Sequence, residues 1–484
     1  MNDPTRLPLR RIARVTIEFL TPFHIGAGCG GDGLDALVVT EVNGLPTIPG
    51  SSLAGVLRGA YRASTGPQSR RAEDLFGFQE EDKGSGSRLS VSWGCIHNSK
   101  NELVEGIQPP ELLNDPVLVQ ALEPGHRDHV RIDHRGTAVR QAKFDERRVC
   151  AGHRFTCELE LCDCDPAGAD WQQILSLLSS GSLRLGGKSR RGYGAFKVVG
   201  ILENTFDLRV PVQFAAYACH PARLAVRAAA LQPWTSAHSA TGDIATITLS
   251  KLRPCGYWMF GGGEDLHAEP VEMAALREDR IDWPDNQGRV ERDLLVLSGS
   301  SLKGALAHRV AFHANGRAKM FANRIAAECA NDLAGHRQAT ERFQAFVGES
   351  NLIVRELFGY AKTKGDAQRG LLIFDDLLIA THRVPGVSEK RIPHVAIDRF
   401  TGGAKDQALF EERPMRGGTL PDWKIVVTNA ERVSVCARKA LRAALDDLCG
   451  GALALGSGAG RGHGYWEGAC ACDPPDWFEQ SPRP

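Results

Sequence analysis

Apolar residues recur along this chain with two spacings, one typical of strands and one typical of helices. Residues 11–23 and 155–161 place apolar side chains at roughly every second position, which predicts half-buried strands. Residues 51–63 and 171–178 repeat theirs every three or four positions, which predicts helices with one buried face. The order reads strand, loop, strand, helix, several strands, helix, glycine loop and strand. Few helices in this split pattern predict an α+β fold with a ferredoxin-like core.

The same landmarks return in the second half of the chain in the same order. Residues 50–55 recur at 299–304, residues 75–77 at 357–359, residues 129–134 at 394–399, and the glycine loop 185–194 at 455–464. A spacing above 200 residues excludes a solenoid, whose repeat is about 20–50 residues. We therefore predict two tandem copies: a first domain at 8–207, a linker at 208–220, and a second domain at 221–475 with an insertion at about 253–293. In this alignment residues 223–234 copy the first strand.

Composition narrows the function classes. The 484 residues carry 58 Lys and Arg against 58 Asp and Glu, so nucleic-acid binding would require local basic patches. No apolar run reaches about 18 residues and the first eleven residues lack an apolar core, so we expect neither a membrane span nor a secretory signal. The 13 cysteines are scattered without a zinc or disulfide spacing, which favours reduced thiols and a cytoplasmic location.

Two motifs are suited to binding phosphate. The loop at 185–194 places Lys188, Arg190 and Arg191 among glycines that let the backbone approach a phosphate closely. A helix rather than a strand precedes this loop, so we reject a nucleotide-hydrolysing P-loop. The helix that starts at Ser51 and Ser52 offers free N–H groups to an anion, and Arg58 follows on it. Solvated turns and caps are the alternative explanation.

A third motif is rich in histidine and arginine. Residues 126–135 include His129 and Arg131, and the copy of this run ends near Arg399. Arginines oppose cation binding, so the run fits an RNA-backbone surface better than a metal site, with an exposed loop as the alternative. We expect Phe144 and Phe410, each followed by acidic residues, to fix the base of these two loops.

Asp35 is the principal candidate for catalysis, because it lies where a glycine-rich loop enters a strand, and Asp243 is its predicted counterpart. One carboxylate per site can hold a divalent metal or orient a 2′-hydroxyl for attack on the adjacent phosphate. A simple turn residue is the alternative. His24 is a possible acid or base, or a strand-end histidine bonded to backbone.

Residues 21–26, residues 48–55 and the glycine loop 185–194 together resemble the RAMP superfamily of CRISPR-associated proteins, and most closely the backbone subunits of type III effector complexes. The tandem arrangement is similar to the fused backbone subunit of type III-D complexes. The resemblance implies RNA-recognition-like ferredoxin domains, each with an inserted thumb hairpin that wedges into the guide–target duplex. It also implies that an Asp after the first strand cleaves target RNA with a divalent metal. Asp35 matches that position, and if the second-copy alignment slips, Asp265 or Glu269 replaces Asp243.

From this resemblance we expect a CRISPR RNA-binding subunit that cleaves target RNA in antiviral defence, with Mg²⁺ or Mn²⁺ at Asp35 and Asp243. The expected partners are the guide RNA, single-stranded target RNA and other effector subunits, without a membrane. Two alternatives stay open: a non-catalytic backbone subunit, and a metal-independent guide-processing endoribonuclease that uses His24. The expected RNA contacts are Ser51, Ser52, Arg58, His129, Arg131, Lys188, Arg190, Arg191, Ser300, Ser301, Lys303, Arg399 and Arg461.

Overall fold

The computed structural model describes residues 7–28, 37–66, 69–134, 136–235, 243–265, 271–361 and 367–479. The chain forms a first unit up to residue 207, a connecting segment, and a second unit from residue 243 onward. The described residues of the first unit and the connecting segment contain ten strands: β1 (Leu9–Phe19), β2 (Phe78–Glu80), β3 (Lys83–Ser85), β4 (Leu89–Val91), β5 (Cys95–Ile96), β6 (Gly125–Ile132), β7 (Ala138–Arg148), β8 (Arg154–Asp163), β9 (Phe196–Asp207) and β10 (Gln232–Pro233). Their helices are α1 (Gly50–Thr65), α2 (Arg71–Phe76), α3 (Pro110–Leu113), α4 (Pro116–Leu122), α5 (Ala169–Ser179) and α6 (Pro211–Ala218), with a 3₁₀ turn at Ser189–Arg191.

The described part of the second unit repeats the order of elements of the first unit, with longer insertions between them. Its strands are β11 (Ile244–Pro254), β12 (Tyr257–Trp258), β13 (Gly261–Asp265), β14 (Val271–Ala275), β15 (Arg277–Asp282), β16 (Arg289–Leu297), β17 (Gly359–Ala361), β18 (Ala367–Arg369), β19 (Leu372–Phe374), β20 (Leu377–Ile379), β21 (Ser388–Glu389), β22 (Ile392–Ile397), β23 (Ala404–Arg413), β24 (Met415–Arg416), β25 (Trp423–Thr428) and β26 (Trp466–Asp473). Its helices are α7 (Gly299–Arg317), α8 (Ala322–Ala327), α9 (Leu333–Gln344), α10 (Leu352–Phe358) and α11 (Val435–Cys449), with 3₁₀ turns at Pro284–Asn286, Gly348–Ser350, Thr381–Arg383, Ala430–Arg432 and Ala459–Arg461.

Both central sheets have the strand order of a ferredoxin-like fold. In the first unit the order is β9–β1–β8–β4, and in the second it is β26–β11–β25–β19. Numbered by their place in each unit, both read 4-1-3-2, with antiparallel pairing throughout. The longest helices of each unit contribute to its core, α1 and α5 in the first and α7 and α11 in the second, together with the shorter α2, α4 and α10. The prediction of two tandem α+β ferredoxin-like domains is confirmed.

The predicted copy of the first strand at 223–234 is wrong. This segment lies across the outer face of the first sheet, where the carbonyls of Pro221, Leu224 and Val226 accept hydrogen bonds from the Arg14 guanidinium. Its buried apolar residues Leu224, Ala228 and Leu231 pack on that face rather than in a second sheet. The apolar pattern reflects this cover, and the central strand of the second unit is instead β11.

The prediction of one insertion at about 253–293 is only partly right. Residues 253–265 follow the same path as residues 18–28, because β11 ends there and β13 leaves the sheet as a glycine-rich segment. The true enlargement is the long hairpin β15–β16, which takes the place of the tight turn at Gly44 in the first unit. A second enlargement, the helices α8 and α9, had no counterpart among the predicted elements.

The β15–β16 hairpin joins the two units. The backbone of Ile281 donates to the carbonyl of Ala151 at 2.9 Å, and the Trp283 indole donates to the carbonyl of Gly152 at 2.7 Å. The Arg154 guanidinium lies over the Trp283 ring, 4.2 Å from its centroid. The hairpin therefore docks on the end of the first sheet and holds the two ferredoxin-like units as neighbours.

Candidate nucleic-acid interface at the junction of the two units

Each unit closes its sheet with a glycine loop that is pinned to the end of its central strand. In the first unit Gly187 donates to the carbonyl of His24 at 2.8 Å and Gly194 donates to that of Pro22 at 2.9 Å. A side chain at Gly186 would place its Cβ 2.3 Å from the His24 carbonyl oxygen, and the φ of Gly186 is +88°, so only glycine fits there. In the second unit Ser457 and Gly464 make the corresponding bonds to Met259 and Tyr257.

Each unit also carries a two-stranded hairpin with the same buried base. The first thumb hairpin is β6–β7 and the second is β22–β23. In the first, the His129 ring stacks on Phe144 with centroids 4.9 Å apart, and its Nε2 lies 3.0 Å from the Glu146 carboxylate. Both glutamates of this arrangement, Glu146 and its counterpart Glu412, are fully buried. The prediction that Phe144 and Phe410 fix the hairpin bases is confirmed.

The second hairpin repeats this base atom for atom. His394 stacks on Phe410 with centroids 4.8 Å apart, and its Nε2 lies 2.8 Å from the Glu412 carboxylate. A buried carboxylate requires a compensating cation. In both units the glycine loop supplies it: Lys188 pairs with Glu146, and Arg461 pairs with Glu412 at 2.5 Å.

These bases change the expected roles of three residues. Lys188 and Arg461, predicted as RNA contacts, are directed at buried glutamates of the thumb hairpins. Burial, reinforced by Arg127, Arg191 and other nearby cations, lowers the pKa of His129 to about 4. His129 is therefore neutral at pH 7, and it acts as a hydrogen-bond partner of Glu146 rather than as a cation for phosphate.

The first thumb hairpin extends onto the second unit. The His308 ring on α7 lies 3.3 Å from the carbonyl of Ile132, and Arg131 lies 3.7 Å from Glu349. Near the end of the second hairpin Arg399 is exposed, and Phe400 beside it is 99% exposed. Arg131 and Arg399 are thus the predicted contacts that stand closest to the hairpin tips.

A cluster of three cations forms where the first glycine loop meets α7. Burial, with Arg369 and Arg184 nearby, lowers the pKa of Arg190 to about 10, and burial lowers that of Arg191. Burial next to Arg191 and Arg190 lowers the pKa of Lys303 to about 8. The acid facing them, Glu349, opposes part of this shift for Lys303.

Among the described residues, none of the three cations makes an ion pair, and the buried Nε of Arg190 has no hydrogen-bond partner. Ser300 and Ser301 begin α7 in the same place, and the Ser301 hydroxyl bonds to that of Ser298 at 2.7 Å. We call Arg190, Arg191 and Lys303 the junction cations. Three neighbouring cations that make no ion pair among the described residues and that outnumber the acid facing them are suited to an anionic ligand such as a phosphodiester backbone.

In the first unit the surface at the start of α1 corresponds to the surface at the start of α7. A shallow groove of about 370 Å³ lies at the N-terminus of α1 and is lined by Ser51, Arg58, Leu89 and Val91, among others. Ser51 is exposed, Ser52 and Arg58 are half-buried, and α1 has no side-chain cap. The predicted contacts Ser51, Ser52 and Arg58 thus share one surface at the start of α1.

The two catalytic candidates lie on different sides of the first central strand of their units in chain order. Asp35 lies outside the described residues. Asp243 precedes β11, and its carboxylate accepts from the backbone N–H of Glu431 at 2.8 Å. Eleven residues of strand separate it from the loop after β11, roughly 35 Å at the rise of an extended chain. Asp243 precedes the strand that corresponds to β1, whereas Asp35 follows β1, so Asp243 is not the counterpart of Asp35; the metal role predicted for Asp243 stays a prediction.

Backbone bonds locate the true counterpart of the Asp35 loop. Val39 donates to Ile25 in the first unit, and Leu276 donates to Phe260 in the second, at 2.8 and 2.7 Å. The corresponding loop therefore spans residues 261–275 and includes the alternative acids Asp265 and Glu269. Glu269 and the side chain of Asp265 lie outside the described part of the structure.

His24 is held as a structural residue. It is 6% exposed, and its Nδ1 lies 2.7 Å from the carbonyl of Arg147 at the end of the first thumb hairpin. Burial lowers its pKa. Of the two expectations for His24, this geometry matches the strand-end histidine bonded to backbone.

A family model agrees with this architecture. The RAMP superfamily model matches residues 16–197 and 253–467, which together exceed half of the chain. The chain belongs to the RAMP superfamily. Each match begins near the end of a central strand, β1 or β11, so the RAMP alignment supports β11 as the copy of β1. Membership in this superfamily carries a CRISPR-associated, RNA-binding role.

No curated protein matches the chain significantly. None of the described helices is long and apolar enough to cross a bilayer. A group formed by His126, Asp128 and Asp145 on the first thumb hairpin has metal-ligand geometry, but Lys143 already pairs with Asp128 at 2.8 Å. Within the described residues of this RAMP protein, the junction cations therefore remain the best-supported ligand-binding group.

Proposed function

We propose that this RAMP protein is a backbone subunit of a type III CRISPR effector complex, which binds guide RNA along both units and cleaves target RNA. The observation that carries the proposal is the cluster of junction cations. Three positive charges, two of them half-buried, lie between a glycine loop and the start of a helix and make no ion pair with the described residues. A phosphodiester backbone would supply the missing negative charge, with the thumb hairpins beside it.

The cleavage part of the proposal rests on the loop that contains Asp35. Both ends of this loop are held together, since Ala27 donates to the carbonyl of Leu37 at 3.0 Å. A carboxylate there would hold Mg²⁺ or Mn²⁺, which supplies charge stabilisation at the scissile phosphate. In the second unit Asp265 or Glu269 would take that role, because both belong to the corresponding loop.

The two alternatives differ in their support. A non-catalytic backbone subunit would make the same guide contacts but would not use the Asp35 loop to cleave RNA. Only a measurement of target cleavage distinguishes it from our proposal. A metal-independent guide-processing enzyme would need His24 as an acid or base. The hydrogen bond from His24 to the Arg147 carbonyl and its burial favour a structural role instead.

Removal of the junction cations is expected to weaken guide binding. Replacing Arg190, Arg191 and Lys303 by alanine should reduce the slope of log affinity against log salt by about 2, at roughly 0.7 per phosphate contact of a single strand. We expect about a 100-fold loss of affinity near physiological salt, as measured by filter binding of labelled guide RNA.

The matched control removes three arginines from the surface instead. Arg209, Arg292 and Arg442 are exposed and each lies near an acid of its own, so their replacement by alanine changes net charge equally. If the control triple weakens binding as much as the junction triple, a diffuse charge effect explains the data and the site is wrong.

Guide affinity is also expected to depend on pH through Lys303. Its pKa of about 8 in the free protein would rise beside a phosphate, so binding takes up a proton and affinity should fall between about pH 7 and 9. The folding stability of the free protein depends on pH in the opposite sense. Above about pH 8 the folded state binds fewer protons at Lys303 than the unfolded state does, so this residue makes folding more favourable as pH rises.

The measurement is the dissociation constant at several pH values for wild type and Lys303→Arg. Arginine stays charged throughout this range, so the variant should bind with a flatter pH profile. The neighbouring charges that face Lys303 are Arg190, Arg191 and Glu349. An unchanged slope in Lys303→Arg would assign the pH dependence to another group.

A further inference from the structure

One carboxylate of the second unit faces three of the residues that are predicted to contact RNA. The Glu349 carboxylate lies 3.7 Å from the Arg131 guanidinium of the first thumb hairpin. Burial lowers the pKa of Lys303 on α7 and that of Arg191 on the glycine loop, and Glu349 opposes part of both shifts, so it faces these two cations as well. Three cations from three different elements thus surround one acid.

The backbone on both sides of Glu349 is fixed. Glu349 lies in the 3₁₀ turn between α9 and α10. The side-chain amide of Asn351 donates to that of Asn315 on α7 at 3.0 Å and to the carbonyl of Phe346 at 3.1 Å. Asn315 donates to the same carbonyl at 2.9 Å, and the Arg355 guanidinium donates to the carbonyl of Glu349 at 2.5 Å. The turn is therefore anchored to α7, and the fold directs its acid toward the cations.

The carboxylate group of Glu349 is held much less firmly than its backbone. The side chain of Glu349 is 48% exposed and that of Arg131 is 61% exposed, and 3.7 Å is longer than a hydrogen bond. An ion pair this exposed changes an equilibrium constant by about 5-fold at most. A ligand that contacts several of the surrounding cations can therefore displace the carboxylate at little cost.

The first unit has no acid in the corresponding connection. Residues 75–77 at the end of α2 recur as residues 357–359 at the end of α10, so the segments that lead into these two helices correspond. The first segment, residues 66–70, reads Gly-Pro-Gln-Ser-Arg, and the second, residues 348–351, reads Gly-Glu-Ser-Asn. The acid thus occurs only in the copy whose helix start lies against the glycine-loop cations of the other unit.

From this placement we infer that Glu349 substitutes for an RNA phosphate in the free protein and moves away from the cations when guide RNA binds. Glu349 then determines selectivity at the junction. A single phosphate would only replace one negative charge by another, whereas a strand that contacts Arg131, Arg191 and Lys303 together gains more than the displaced carboxylate provided. This inference rests on the proposed guide binding and names the residue that the RNA displaces.

The test is the affinity of Glu349→Gln for labelled guide RNA, measured by filter binding with the full chain. Glutamine keeps the length of the side chain and removes its charge, so we expect affinity to rise by about 5-fold near physiological salt. Inorganic phosphate, compared with chloride at equal ionic strength, should inhibit guide binding at lower concentration in Glu349→Gln than in the wild type. The reason is that the carboxylate no longer competes with it.

Glu328→Gln is the matched control, because Glu328 is 61% exposed and pairs with Arg342 instead of the junction cations. Unchanged or weaker affinity in Glu349→Gln, or an equal gain in Glu328→Gln, overturns the inference. When Arg190, Arg191 and Lys303 are already alanine, Glu349→Gln should lose most of its effect, and a full gain there would also overturn it. If that alanine triple binds guide RNA as tightly as the wild type, the proposed binding site itself is wrong, which distinguishes the two failures.

Discussion

Glu278→Ala is expected to destabilise the chain by about 3–5 kcal/mol, the usual cost of leaving buried charges without a partner. Glu278 of the second unit pairs with both Arg127 and Arg148 of the first unit, and all three side chains are at most 4% exposed. Burial alone would raise the pKa of Glu278, but the two arginines hold it below its usual value. Alanine would leave both guanidinium groups buried with Asp376 as the remaining acid beside Arg127.

Urea unfolding of the RNA-free chain measures this effect. Glu389→Ala is the matched control, because Glu389 is more exposed and pairs with Arg277 nearby, where loss of a pair costs about 0–1 kcal/mol. We also expect the two units of Glu278→Ala to unfold in separate steps, since the ionic contact between them is lost. A variant as stable as Glu389→Ala would show that the network does not join the units.

This network had no signal in the sequence. Arg127 lies 151 residues from Glu278 and 249 from Asp376, and no local spacing connects them. Each is an ordinary charged residue in its own segment. Their pairing follows from the docking of two whole units, which periodicity and motif spacing do not encode.

The parts of the fold that depend on neighbouring residues in the sequence could be predicted from the sequence. The amphipathic spacing of α1 and α5 and the alternation in β1 were sufficient to place those elements. The glycine loops were recognisable because positive φ values, such as +88° at Gly186 and +87° at Gly456, require glycine at matching places in both copies. The stacked bases at Phe144 and Phe410 were predicted in outline from the acids that follow them, although the partner histidines and loop cations were not.

The error in the second copy has a physical origin. Residues 223–234 end in a Leu-x-Pro-aromatic sequence, as residues 20–23 do, so the two segments align by this motif. Their apolar residues, however, cover the outer face of the first sheet, where Arg14 binds the segment's carbonyls. Surface packing and strand pairing both produce partial alternation, and only the sheet order separates them.

Because β11 and not residues 223–234 corresponds to β1, Asp243 and Asp35 are expected to differ in their effect on catalysis. Asp35→Ala is expected to lower target-RNA cleavage by a factor of about 10³ or more, because a metal-bound carboxylate supports several kcal/mol of transition-state stabilisation. Asp243→Ala should have no effect, since its carboxylate is bonded to the Glu431 backbone at the far end of β11. Asp265→Ala or Glu269→Ala should remove a second product if the second unit is also active.

The measurement is cleavage of one labelled target by the guide-loaded complex in Mg²⁺, with guide binding followed separately for every variant. Asp32→Ala is the matched control, because it removes an acid from the same loop three positions earlier. Loss of a product in Asp35→Ala but not in Asp32→Ala would place the metal at Asp35. If Asp35→Ala binds guide RNA and cleaves at the wild-type rate, the chain is a non-catalytic backbone subunit.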